Sequence, residues 1–181
     1  MEPVRAASDT DATAARAAEN GAEVIQPPYD FHGQRRMAAI RDPTGAVVCI
    51  WQPAKHSGIG IAGENNAFCW ADLNTNDPAK AAAFYSALFG WSIRPGENDP
   101  SGYLHIWNGE LAIGGIPPVR PGNHPHWMIY FQVADCDDAA SKAAGLGAKT
   151  CMPPMTIEKV GRMSVLADPQ GAVFALFAPQ L

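Results

Sequence analysis

From Met37 to Pro53 two apolar runs, MAAIR and AVVCIWQP, flank a DPTG turn. The runs are rich in residues that fit a pleated, half-buried surface, and at this length they favour strand over helix. Asp42 suits the first turn position, Pro43 fixes φ at the second, and Gly45 takes the left-handed position that closes a type I hairpin. The pattern returns in MSVLADPQGAVFALFAP, with Asp168, Pro169 and Gly171 in the turn. Upstream of each hairpin the apolar period becomes helical. Ala14, Ala17 and Ala18 in one stretch, and Ala140, Ala143 and Ala144 in the other, put a stripe of small residues on one helix face. Asp9 and Asp135 fit the N-caps, and Gly21 and Gly147 fit the stops. The two stretches align without a gap at a constant offset of 126, from Asp11/Asp137 to Arg36/Arg162. Each is predicted as strand, helix, strand, hairpin.

A third and more divergent unit lies between them. In AFCWADLNTNDPAKAAAFYSALFGW a strand leads to Asp77 as N-cap, with Pro78 at the first helical position. Ala81, Phe84, Tyr85, Leu88 and Phe89 form its buried stripe, and Gly90 ends the helix. Strand-like stretches follow at Trp91 to Ile93, in YLHIW from Tyr103, and in LAIGGI from Leu111. The Gly-containing segment before this unit is a linker. The expected organisation is α+β: an orphan unit at residues 1–54, a linker at 55–65, and a complete two-unit domain at 66–181.

Composition narrows the partners. A chain of 181 residues with a net charge of −5 and no basic cluster is not built around a nucleic acid. No apolar run reaches the roughly 18 residues that span a bilayer, and no signal-peptide pattern follows Met1. Cys49, Cys69, Cys136 and Cys151 are scattered without a CxxC spacing, which fits reduced thiols and a cytoplasmic location.

The repeated β-α-β-β-β unit, with DPAKAAAFYSALFGW after a first strand and ADPQGAVFALF in a final hairpin, resembles the vicinal oxygen chelate superfamily. That group includes glyoxalases, extradiol dioxygenases, fosfomycin-resistance transferases and bleomycin-binding proteins. The resemblance implies that two units pair so that eight strands curl into a cup, with helices outside and a ligand inside. It makes the N-terminal unit the second half of another cup. Catalytic members hold a divalent metal through a His near the start of one first strand, a His or Gln in the matching strand, and a Glu four residues after the hairpin Gly. Here those positions carry Trp70, Met128 and Ala175, and Cys49 stands at the equivalent of Ala175 in the first unit. A hard divalent cation needs oxygen or imidazole nitrogen ligands in a near-fixed geometry, so no metal and no other cofactor is expected.

Strand alternation then assigns the lining of the cup, because side chains change face with every residue. Trp70, Asp72 and Asn74 share one face; Tyr103, His105 and Trp107 another; Met128, Tyr130 and Gln132 a third; Ala175 and Phe177 complete the wall. An aromatic box with a few polar groups suits a flat organic molecule. Asp72, an acid in mid-strand, needs a partner or solvent. His105 is the candidate base and Asp72 the group that would hold its tautomer. The HPHW sequence holds His124 and His126, two ligands without a neighbouring carboxylate, which fits a solvated loop. Two function classes are compatible with this lining. One is a metal-free module that binds or carries a hydrophobic or aromatic small molecule. The other is an enzyme using Asp72, His105 and Tyr130 for proton transfer, or recruiting a metal through other ligands. The orphan unit, with an apolar sheet face and an unpaired edge, is expected to pair with that of a second chain into a shared cup, in a homodimer.

Overall fold

A computed structural model of the chain describes residues 4–55, 59–97, 99–120, 122 and 124–180. The β-α-β-β-β order occurs three times. The first unit comprises β1 (Val4–Ala6), α1 (Thr10–Glu19), β2 (Glu23–Phe31), β3 (Arg35–Arg41) and β4 (Val47–Pro53). The second comprises β5 (Phe68–Asn74), α2 (Pro78–Phe89), β6 (Ser92–Pro95), β7 (Leu104–Asn108) and β8 (Leu111–Ile116). The third comprises β9 (His126–Gln132), α3 (Cys136–Gly145), β10 (Lys149–Ile157), β11 (Gly161–Ala167) and β12 (Val173–Pro179). One four-stranded sheet has the order β1-β4-β3-β2, and an eight-stranded sheet has the order β10-β11-β12-β9-β5-β8-β7-β6.

By compactness the chain divides into two parts, Ile59–Ala71 with Met128–Leu181, and Glu2–Gly58 with Asp72–Trp127. In the second of these, α1 begins at the N-cap Asp9, whose carboxylate accepts from Ala12 N–H at 2.9 Å. Its inward stripe of Thr13, Ala14 and Ala17 packs on the sheet face that carries Ala38, Ile40, Val48 and Ile50, all buried. Small helix residues let the helix sit close to the sheet, and each buried Val or Ile contributes roughly 1.5–3 kcal/mol. Helix α2 starts at Asp77, which accepts from Lys80 N–H at 3.0 Å, and stops at Gly90 in a left-handed conformation, φ 71°. Phe89, expected within the buried stripe of α2, is only half-buried, while Ala81, Phe84, Tyr85 and Leu88 are buried.

The turn after β3 is anchored to α2. Asp42 Oδ1 accepts from the backbone N–H of Thr44, Gly45 and Ala46, which closes the turn. Its Oδ2 accepts from the Tyr85 hydroxyl at 2.9 Å, and Trp127 Nε1 donates to the same hydroxyl oxygen at 3.1 Å. Arg16 donates to the Leu88 carbonyl near the end of α2 at 3.1 Å. The first unit is thereby joined to α2 by a buried carboxylate and a helix-end hydrogen bond.

In the other part, Val133, Cys136, Ala140, Leu166 and Leu176 form the core between α3 and its strands. Register repeats between β2–β3 and β10–β11 at the offset of 126: Glu23 pairs Arg41 as Lys149 pairs Ala167, and Phe31 pairs Arg35 as Ile157 pairs Gly161. Even the register shifts coincide, between Val24 and Gln26 in one and Thr150 and Met152 in the other. An Arg–Asp clasp is also duplicated, with Arg36 on Asp11 and Arg162 on Asp137, tying each helix start to a neighbouring hairpin. Each arginine holds its aspartate below the usual carboxylate range by direct hydrogen bonding.

Candidate functional site

Two clusters gather the residues singled out by strand alternation. The first lies in Ile59–Ala71 with Met128–Leu181. Tyr130, Met163 and Ala175 are buried there, with Cys69, Trp70, Met128, Met152, Val165 and Phe177 packed around them. Parallel pairing of β12 with β9 sets Ala175 opposite Tyr130 and Phe177 opposite Gln132. Cross-strand partners share a sheet face, which is why these four side chains form one wall. Phe177 lies across Gly161: a Cβ there would stand 2.8 Å from its ring and 2.4 Å from the Ala178 carbonyl oxygen. The Cys69 thiol contacts the Tyr130 carbonyl at 3.5 Å, and burial pushes its pKa up to about 11, so it is held as a neutral thiol.

The second cluster lies in Asp72–Trp127. Asp72 is 5% exposed, and its Oδ1 accepts from the Tyr103 hydroxyl at 2.5 Å. Asp72 and His105 are each in register with Gly115, from opposite sides of β8. Gly115 therefore sits between the acid and the histidine in one cross-strand row. Its missing side chain is what admits the tyrosine, because a Cβ at 115 would stand 2.0 Å from the Tyr103 hydroxyl oxygen. Along the same face the Tyr103 and His105 rings lie 5.1 Å apart and the His105 and Trp107 rings 6.5 Å apart. Arg94 stacks over Trp107 at 5.2 Å. Asn74, 8% exposed, ends β5 next to this row. Exposed Asp99 is held below the usual carboxylate range, chiefly by hydrogen bonds from Ser101 and to a lesser degree by the charge of His105.

Trp70, Met128, Tyr130 and Phe177 thus come together in one cluster, and Asp72, Tyr103, His105 and Trp107 in the other. Tyr103, expected as a ligand contact, is the hydroxyl that meets Asp72. It precedes β7 rather than opening the strand. Gly115 was legible only as half of a Gly-Gly pair within a strand, the kind of position that marks a close approach. His126 Nδ1 sits 2.7 Å from the His124 carbonyl oxygen, a local turn contact. Among the described residues no group of three or more His, Cys, Asp or Glu side chains could hold a metal ion. The residues at the superfamily's ligand positions, Trp70, Met128 and Ala175, are packed in an apolar cluster and do not supply the donors a divalent cation takes.

A family model described as a glyoxalase-like domain matches residues 70–177. The chain is 38% identical over 180 residues to CFP32 of Mycobacterium tuberculosis, named as a candidate glyoxylase, covering 96% of this chain and 67% of that protein. It is 33% identical over 177 residues to the anthracycline biosynthesis protein DauV of Streptomyces sp. strain C5, covering 94% of this chain and 62% of that one. The Mn(II)-bound glyoxalase of Novosphingobium aromaticivorans shares the fold, with a TM-score of 0.63 at 17% identity, covering 97% of this chain and 61% of that one. The fold and these matches define a vicinal oxygen chelate protein. The chain belongs to the glyoxalase-like domain family.

Proposed function

We propose that this chain binds a flat, hydrophobic or aromatic small molecule without a resident metal, in a carrier or sequestering role. The observation that carries the reading is the apolar wall of Trp70, Met128, Tyr130, Ala175 and Phe177, three of which, Trp70, Met128 and Ala175, stand where the superfamily resemblance implies metal ligands. Aromatic walls of this kind bind by area burial and stacking, with polar groups setting orientation. The name of DauV supports the ligand class, since anthracyclines are flat fused-ring aromatics. No helix among the described residues is long and apolar enough to cross a membrane.

A second reading rests on the Tyr103–Asp72 hydrogen bond at 2.5 Å beside His105. An acid, a phenol and an imidazole on one sheet face are the parts of a proton-transfer site. Tryptophan-fluorescence titration with 1,8-dihydroxyanthraquinone, on the wild type, Trp70→Ala and Asp72→Asn, separates the two. A binding module loses about tenfold in affinity, of the order of one stacked aromatic pair, with Trp70→Ala and little with Asp72→Asn. An enzyme keeps its binding and loses product formation with Asp72→Asn. If neither variant changes binding or product formation, both clusters are core and the reading fails. Metal analysis after dialysis adds an independent check. One tightly held equivalent of a divalent metal overturns the metal-free part.

A further inference from the structure

The first and third units differ at one matched place on the helix side of their sheets. Helix α1 starts at Thr10, which is fully buried. Its backbone N–H donates to Gln52 Oε1 at 3.1 Å, and its hydroxyl donates to the Arg36 carbonyl at 3.2 Å. The first N–H groups of a helix have no partner within the helix, and here a side-chain carboxamide from β4 supplies one. Helix α3 starts in the same way. Asp135 accepts from Asp138 N–H at 2.9 Å, as Asp9 does from Ala12 N–H. At the offset of 126, Cys136 stands for Thr10 and Ala178 for Gln52. The register agrees, since Ala178 pairs Arg162 as Gln52 pairs Arg36. Alanine has no side-chain acceptor to offer the Cys136 N–H. At this place the third unit holds a cleft of about 310 Å³, lined by Asp135, Cys136, Asp137, Arg162 and Ala178 among others.

We propose that this cleft is a binding site for a small neutral molecule bearing a carboxamide, whose carbonyl oxygen accepts from the Cys136 N–H. Two independent observations carry it: an open cleft in one unit, and a carboxamide oxygen seated at the matched place in the other. The charges around the cleft select an amide over an anion. A helix start by itself attracts negative charge, but Asp135, Asp137 and Asp138 already stand at this one. Arg162 offsets one of the three through its clasp on Asp137. Burial pushes the Cys136 thiol up, with Asp137 adding to it, so the floor of the cleft stays uncharged. Ala178 packs against the α3 core, whereas its neighbour Phe177 belongs to the wall with Trp70 and Tyr130. The cleft is therefore separate from that wall and stands or falls independently of the function proposed for it.

The test compares benzamide with benzoate, which share a ring and differ in a neutral amide against a carboxylate. Each is titrated into the full chain while the Cys136 backbone amide is followed in proton–nitrogen correlation spectra. Benzamide should shift that resonance saturably, with the millimolar dissociation constant usual for a fragment of its size. Benzoate should bind about fivefold more weakly, the scale of one like charge close by in water. Ala178→Gln should seat its own carboxamide in the cleft, as Gln52 does in the first unit, and abolish the benzamide response. Ala178→Leu blocks the same space and should abolish it too, which decides the matter should Ala178→Gln fail to fold. Trp70→Ala should respond as the wild type does. The proposal is overturned if benzamide leaves the Cys136 amide unmoved up to its solubility, or if both filled variants still respond. It is also overturned if benzoate binds as tightly as benzamide, which would make the cleft an anion site, or if Trp70→Ala removes the response, which would place the binding at the wall.

Discussion

A methyl group at position 115 would come within 2.0 Å of the Tyr103 oxygen and 2.1 Å of the ring carbon that bears it. Those atoms sit at the stiff end of an aromatic side chain whose hydroxyl is tied to buried Asp72, so the clash cannot be absorbed by a small rotation. Gly115→Ala should therefore drive Tyr103 off Asp72 and lower stability by roughly 1–3 kcal/mol, the usual range for overpacking. Urea denaturation of Gly115→Ala, Tyr103→Ala and the double variant isolates the cause. If displacement of the tyrosine is the whole effect, the second substitution adds little once the first is made. Fully additive costs would mean that the glycine serves some other neighbour. Trp70, Met128, Tyr130 and Phe177 teach the complementary lesson. Their gathering into one cluster was legible from strand alternation, because side chains two residues apart share a sheet face.

At the level of elements, helices α1 and α3 and the two D-P-x-G hairpins were legible because their signals are local: a capping Asp, a left-handed Gly, a Pro that fixes φ. What could not be read were partners far apart in sequence. Asp42 declared itself as a turn residue, yet its second oxygen is held by Tyr85, 43 residues away. Burial first, then the Asp42 charge, raises the Tyr85 pKa well above its ordinary value of 10.0. A raised pKa favours the protonated phenol in the folded chain, so its contribution is complete below about pH 10. It is lost as pH rises further, because the unfolded chain gives up that proton first. Tyr85→Phe should remove this part of the alkaline destabilisation. At neutral pH it should cost roughly 1–3 kcal/mol, because Asp42 and the Trp127 N–H lose a buried partner. Denaturant midpoints at neutral and alkaline pH for both proteins check this; parallel alkaline losses would assign the effect to other groups.

On the scale of the whole molecule, the third unit shows what its first strand requires. The outer side of β9 is met by the segment leading into β5, through Asn66 N–H to the Gln132 carbonyl at 2.7 Å and Gln132 N–H to the Ala67 carbonyl at 2.9 Å. Strand β1 matches β9 register for register: Val4 pairs Cys49 as Tyr130 pairs Ala175. Yet β1 closes the four-stranded sheet as an edge strand, and an edge with unpaired N–H and C=O groups is a template for another strand. We propose that β1 of a second copy fills this place about a two-fold axis, the closed symmetry most oligomers use. Such pairing joins the two four-stranded sheets edge to edge, so that the first units of two chains share one cup. Ala7 N–H donates inward to the Trp51 carbonyl, as Val133 N–H does to Phe177, so the N–H of Ala6, the equivalent of Gln132, faces the free edge. Ala6→Pro removes that outward N–H and leaves the N–H groups that face β4 in place. Light scattering during gel filtration should show twice the chain mass for the wild type at micromolar concentration and the single mass for Ala6→Pro, with the anchored Tyr85–Asp42 contact keeping the first unit folded. Circular dichroism confirms that the variant is intact. A wild type that elutes at the single chain mass across that range would show that β1 takes no second copy.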